Sequence, residues 1–220
     1  RQRQMCIRDR VLTEIYRSVQ GESSYAGLPC TFLRLTGCPL RCRWCDTVYG
    51  FKGGNEMTIT EIIAEVKELG VKLVEITGGE PMAQENTIHL MESLSAEGFQ
   101  VICETGGSES LKNVPKDCTL IMDLKCPDSG MSDRNHWENL DYLKPNDEIK
   151  FVISSEKDFK WACEVIEQHN LSGRFHCLMS VAFGLLEPAT LVDWILEAGI
   201  DVRLNLQQHK YIWSPKAKGV

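Results

Sequence analysis

Apolar positions along the chain follow two alternating periods. Short runs of β-branched and other apolar residues recur at 31–35 (TFLRL), 73–77 (LVEIT), 100–104 (QVICE), 119–123 (TLIMD), 148–153 (EIKFVI), 175–179 (FHCLM) and 201–206. Each reads as a strand. Between most of them the apolar spacing lengthens to three or four, over 58–69, 87–97, 157–169 and 189–198. The first of these carries Ile62, Ile63, Val66 and Leu69 on one face, with Thr58 and Glu61 at capping-box spacing. Gly70, Gly98 and Gly199 stand where three of these helices should stop. The alternation predicts parallel strands joined by right-handed helical crossovers. It leaves two α/β architectures open, a doubly wound sheet or a partial (β/α) barrel of about six to seven strands. Both bind ligands at the carboxyl ends of their strands.

Two stretches break the pattern. Residues 126–147 are polar and rich in Pro, Asn and Asp, which predicts a long covering loop. Residues 1–10 (RQRQMCIRDR) have no apolar period and are expected to be a non-native or disordered appendage; 11–220 then form a single domain. At 220 residues one domain is expected.

Charge and composition narrow the function. The net charge is −7 and no long Lys/Arg run occurs, which argues against nucleic acid or an anionic membrane as partner. No apolar stretch approaches the ~18 residues of a membrane span, and no secretory signal pattern opens the chain. The ten cysteines are too sparse for a secreted disulfide scaffold, and most are scattered singly. Reduced cysteines imply a cytoplasmic protein.

Only Cys38, Cys42 and Cys45 cluster, in a C-x3-C-x2-C run just after the first of those strands. Three thiolates this close can converge on one centre. Structural zinc wants a fourth protein ligand. No second C-x-x-C and no His pair supplies one, because the five histidines are isolated. A [4Fe–4S] cluster ordinarily takes four thiolates, so three leave one iron open to an outside ligand. The spacing favours such an open-iron cluster, with a zinc site borrowing a distant cysteine as the alternative. Polar and glycine residues also stand at successive strand ends: Thr77-Gly78-Gly79-Glu80-Pro81, Glu104-Thr105-Gly106-Gly107, Asp123-Leu124-Lys125, and Ser180.

The cysteine run, with Trp44 before its last cysteine and Asp46 after it, resembles the radical S-adenosylmethionine (SAM) superfamily, as does the Gly-Gly-Glu-Pro at 78–81. The resemblance implies a partial (β/α) barrel and a cluster whose open iron chelates SAM. A narrower resemblance spans about 11–220. It rests on Val19-Gln20-Gly21-Glu22, Arg34, Thr47 directly after Cys45-Asp46, and the tail Leu206-Gln-Gln-His209-Lys210-Tyr-Ile-Trp213. Together these resemble the 7-carboxy-7-deazaguanine synthase family.

That family implies conversion of 6-carboxy-5,6,7,8-tetrahydropterin to 7-carboxy-7-deazaguanine with release of ammonia. It implies SAM, Mg2+, an electron donor such as flavodoxin or ferredoxin, and a homodimer. Position by position, Cys38, Cys42 and Cys45 would hold the cluster. Trp44, Asp46, Gly79, Glu80, Asp123, Leu124, Lys125 and Ser180 would touch SAM. Val19, Gln20, Gly21, Glu22, Arg34 and Thr77 would meet the pterin, and Thr47 would bind Mg2+. The chain departs from the family pattern at Ser23, at Asp123-Leu124 and after the sixth strand. Two further readings stay open: another small radical SAM enzyme, such as a glycyl-radical activase, and a non-catalytic zinc or iron–sulfur module.

Overall fold

Residues 10–220 are described by the computed structural model. Residues 1–9 of the expected appendage lie outside the described residues. Arg10 does not belong with them. It opens strand β1 (Arg10–Val19), is buried, and donates from Nη2 to the Asn86 carbonyl at 2.8 Å.

The next strands are β2 (Pro29–Leu35), the short β3 (Asn55–Met57), β4 (Leu73–Gly78), β5 (Gln100–Thr105), β6 (Thr119–Leu124), β7 (Glu148–Ile153), β8 (His176–Val181) and β9 (Arg203–Leu204). They form one sheet in the order β3-β1-β2-β4-β5-β6-β7-β8-β9. From β2 through β9 every neighbouring pair is parallel, as the alternation predicts. The antiparallel pairs β1–β2 and β1–β3 are additions at one edge. The final strand is shorter than the 201–206 expected.

Strand β1 escaped the sequence pattern for a physical reason. Its register against β2 slips between Leu12 and Glu14. A bulge of this kind breaks the two-residue alternation. Leu12 and Ile15, three apart, therefore pack in the same apolar core, and Tyr16 packs on the opposite side of the sheet.

Helices α1 (Ile59–Leu69), α2 (Thr87–Ala96), α3 (Glu156–Gln168) and α4 (Pro188–Ala198) cover the outer face, and a short α5 (His209–Ile212) follows β9. The expected capping box is present. The Thr58 hydroxyl accepts from the Glu61 N–H at 3.2 Å, and Glu61 accepts from the Thr58 N–H at 2.8 Å. Gly70 closes α1 in the left-handed conformation at φ 69°. Two crossovers lack a long helix, those after β5 and β6. The second contains the expected covering loop, folded as 3-10 turns at Pro127–Ser129, Ser132–Arg134 and Trp137–Asp141.

The main core lies between the helices and the outer face, and includes Leu33, Ile62, Val66, Val74, Ile76, Leu90, Phe151 and Met179. A second, smaller cluster sits on the inner face: Cys30, Phe32, Leu73, Ile102 and Ile121, with Tyr16 and Tyr25 packed on it. This cluster plugs the amino-terminal end of the barrel. The turn after β1 ties across the plug. The Tyr25 hydroxyl meets Thr119 Oγ1 at 3.3 Å, and Ser24 donates to Glu148 through its N–H and its hydroxyl.

The open side of the barrel is bridged by chain segments. The Gln208 N–H donates to the Gly21 carbonyl at 2.8 Å, and Gln207 Nε2 donates to Glu22 Oε1 at 2.9 Å. Among the described residues, no helix is long and apolar enough to cross a membrane.

Candidate active site

Parallel strands covered on one side and curled on the other should be apolar on both faces. Five of them instead each turn an ionisable side chain toward the space above the plug: Arg34 on β2, Glu75 on β4, Glu104 on β5, Asp123 on β6 and Lys150 on β7. All five line a cavity of about 790 Å³ above the apolar plug. That space suits more than one small ligand.

At the mouth lies the 37–47 loop. Cys38, Cys42 and Cys45 all line the cavity as free, half-buried thiols. The loop is anchored through its backbone N–H and C=O groups. Cys38 Sγ accepts from the Leu40 N–H at 3.4 Å, Arg41 Nη1 donates to the Cys38 carbonyl at 2.6 Å, and the Arg43 N–H donates to the Ser129 carbonyl at 3.0 Å. Burial pushes the Cys38 and Cys42 thiols up. Among the described residues, no group of three or more His, Cys, Asp or Glu side chains is gathered closely enough to hold a single metal ion. A tetrahedral zinc ion with ~2.3 Å bonds would draw its sulfurs to roughly 3.8 Å from each other. An iron–sulfur cube gives each thiolate its own iron and takes sulfurs set further apart.

Gly79 explains how β4 meets this loop. A Cβ there would stand 2.3 Å from the Gly37 carbonyl oxygen and 2.6 Å from Cys38 Cβ, so only glycine permits the approach. Trp44, Asp46, Thr47, Gly79, Asp123 and Lys125 all line the cavity. Lys125 Nζ pairs with Asp123 Oδ2 at 2.7 Å, and Asp123 and Cys42 outweigh burial in raising its pKa, so it stays charged. Asp123 Oδ1 is buried with no hydrogen-bond partner, an acceptor still to be satisfied beside the cysteine loop. Thiols with one open face, a glycine-lined approach and an orphan acceptor fit a cluster with a donor-rich ligand beside it.

Glu80, Leu124 and Ser180 are placed differently. Glu80 is fully buried and accepts from Thr105 Oγ1, the Gly106 N–H and the Met82 N–H at 2.7–3.0 Å. It ties the tips of β4 and β5 together and does not line the cavity. Leu124 packs in the main core, facing the helices. Ser180 Oγ accepts from Asn205 Nδ2 at 3.1 Å, behind the cavity wall.

The floor is a network of buried charges. Lys150 Nζ pairs with Glu22 at 3.0 Å and also with Glu104. Glu22 is held below its usual range: Lys150 and Gln207 overcome the burial that would raise it. Gln20 is spent inside the protein. Its Nε2 donates to Glu75, and its Oε1 accepts from the Glu22 N–H at 2.6 Å. Arg34 donates to Glu14 at 2.7 Å and to the Tyr16 hydroxyl at 3.1 Å, and Tyr49 donates to the same Glu14 oxygen at 2.8 Å. Burial pushes Tyr16 up to about 12. Val19, Gly21 and Thr77 complete this end.

Sequence reasoning missed Glu14, Tyr49, Glu75, Lys150 and His209. Glu75 and Lys150 were visible as single charges inside otherwise apolar strand runs. His209 stands in the sequence only as part of the tail, with no site role; in the fold it packs on Gly21, where a Cβ would meet its Nδ1 at 2.5 Å.

Comparison with known proteins agrees with this geometry. The model of the radical SAM superfamily matches residues 33–168, which span the cysteine loop and the strands that build the cavity. The chain is thus a radical SAM protein, a class that uses a [4Fe–4S] cluster and SAM. A 7-carboxy-7-deazaguanine synthase of Koribacter versatilis is 50% identical over 95% of this chain and 99% of its own length. One from Chlorobaculum tepidum is 42% identical over 95% and 96%. The crystal structure of QueE from Escherichia coli shares the fold, with a TM-score of 0.76 at 20% identity over 91% of this chain and 95% of that one. The chain belongs to the 7-carboxy-7-deazaguanine synthase family.

Proposed function

We propose that this protein converts 6-carboxy-5,6,7,8-tetrahydropterin to 7-carboxy-7-deazaguanine with release of ammonia, in 7-deazapurine biosynthesis. One observation carries the reading. The cysteine loop, the strand-end residues and a floor of buried charges open onto a single cavity. They do so in a chain half identical to a synthase over nearly its full length. A glycyl-radical activase would act on a protein, and a metal-binding module has no use for charges buried behind its metal.

In this reading Cys38, Cys42 and Cys45 hold the [4Fe–4S] cluster, and Trp44, Asp46, Gly79, Asp123 and Lys125 hold SAM. When bound, cluster and SAM supply the one-electron chemistry that activates a substrate C–H bond. The chain's own residues bind and orient. Arg34, fixed by Glu14 and Tyr16 through two of its five donors, keeps others for the substrate carboxylate. Val19, Gln20, Gly21, Glu22 and Thr77 frame the pterin. Thr47, whose hydroxyl lies 3.0 Å from Asp46 Oδ1, offers oxygen chemistry suited to Mg2+ at the cavity wall. Glu80 and Ser180 support the SAM end from behind, and Leu124 does so by packing. A homodimer, a flavodoxin- or ferredoxin-type donor and a reducing cytoplasmic setting complete the proposal.

The test is anaerobic turnover. Protein reconstituted with iron and sulfide receives SAM, reductant, Mg2+ and the tetrahydropterin, and mass spectrometry follows 7-carboxy-7-deazaguanine. Product that vanishes in Cys42→Ala supports the reading. SAM cleavage without product overturns the substrate assignment.

A further inference from the structure

The floor holds three carboxyl groups, Glu22, Glu75 and Glu104, and one ammonium, Lys150. Lys150 gives its contacts to Glu22 and Glu104. Glu75 has none of them. Among the described residues the one hydrogen-bond partner of its carboxyl group is the uncharged amide of Gln20, on Oε2. Its Oε1 has no protein partner and is not among the sealed, unsatisfied polar atoms, so it faces the cavity that Glu75 lines.

We propose that Glu75 is a specificity-determining residue that works as an uncharged acid: Oε1–H donates to a ring carbonyl of the substrate while the other oxygen, anchored by Gln20, accepts from the adjacent ring N–H. Donor and acceptor side by side are complementary to a lactam edge, the C=O/N–H pair of a pterin. An ionised carboxylate would prefer an edge made only of donors. The inference rests on the pterin reading above and adds to it the edge that is read and the form of the residue that reads it.

The surroundings support an uncharged Glu75. A carboxyl with no cation in contact and like charges nearby keeps its proton. Burial is the largest influence, followed by Glu104 and Glu22. Lys150 and Arg34 pull the other way with less effect, and Glu75 ends well above the usual carboxylate range. Tyr16 and Cys30 also face it, both uncharged near neutrality.

The probe is 6-carboxypterin, an oxidised analogue, offered to reconstituted, SAM-loaded enzyme in anaerobic equilibrium dialysis. Wild type, Glu75→Gln and Glu75→Leu are compared across pH 6 to 9. An amide imitates the neutral acid, so Glu75→Gln should bind within about threefold of wild type at low pH, while Glu75→Leu, lacking both polar atoms, should lose roughly tenfold or more. As pH rises the wild-type carboxyl ionises and the amide does not. The affinity of Glu75→Gln relative to wild type should therefore climb, and the ligand's own ionisation cancels in that ratio. A Glu75→Gln as weak as Glu75→Leu at every pH, or a ratio that falls with pH, overturns the proposal and leaves the pterin reading standing. Misfolding of Glu75→Gln also counts against it, because an amide adds no charge to the site. If wild type binds no 6-carboxypterin and makes no product, the pterin reading falls and this inference with it.

Discussion

The two ends of the cavity are made from opposite materials. The mouth is a loop without regular structure, positioned by backbone hydrogen bonds and by a glycine that lets β4 come within touching distance of Cys38. Its three thiols are half-buried, and the acceptor beside them, Asp123 Oδ1, is unsatisfied. The floor is side chains on strands and on the turn after β1, buried or half-buried and mostly paired with one another. A mouth of this kind gains its order from what binds there. A floor of this kind is ordered in advance, and the desolvation of its charges is met by their mutual contacts. The difference teaches where tolerance to mutation lies: changes at the mouth should alter loading and chemistry, changes at the floor should alter folding and recognition.

The sharpest break comes from Cys42→Ala. SAM cleavage and turnover should fall to background in anaerobic assays, while 6-carboxypterin binding by the floor persists. Loss of both together would show that the two ends are not separable. Next is Lys150→Met, which strands Glu22 and Glu104 without their cation. Removing one partner from a buried ion network costs about 3–5 kcal/mol, read as a lower urea midpoint. The double variant Lys150→Met with Glu104→Gln should recover part of it.

Gly79→Ala forces a methyl group against Gly37 and Cys38. It should cost about 1–3 kcal/mol, and reconstituted protein should keep less iron through gel filtration. A smaller effect separates the ends by pH. Glu75 is an acid raised in the folded state, so the unfolded chain releases its proton first, and stability falls as pH rises from the ordinary carboxylate range toward the folded value. Glu75→Gln should remove that slope, gaining on wild type in urea unfolding at pH 8 relative to pH 5. The smallest effect belongs to Lys210→Ala. It breaks the 2.6 Å bridge to Asp46, whose side chain is 51% exposed, and should change stability by less than about 1 kcal/mol.

Most of the parallel sheet and the cysteine loop were legible in the sequence, because strand runs, glycine stops and thiol spacing are local signals. Strand β1 was not, since its bulge breaks the alternation and Glu14 and Tyr16 interrupt its apolar pattern. The floor was only partly legible. Glutamate in LVEIT and lysine in EIKFVI look like solvent-facing positions until the register shows both faces of those strands covered. Such a charge must be paired or functional, and that rule would have singled out Glu75 and Lys150. Glu80 went the other way: its place in Gly-Gly-Glu-Pro drew attention to a ligand, but three donors of its own chain already occupy it.

The hydrogen bonds from Gln207 and Gln208 to Gly21 and Glu22 join positions about 185 residues apart. During synthesis at roughly 5–20 residues per second, β1 and its turn leave the ribosome many seconds before their partners exist. Throughout that interval the nascent barrel is open along one side, with the floor charges in contact with water. Contacts this distant in sequence are slow to form, so sealing of the side wall is expected to be a late event in folding.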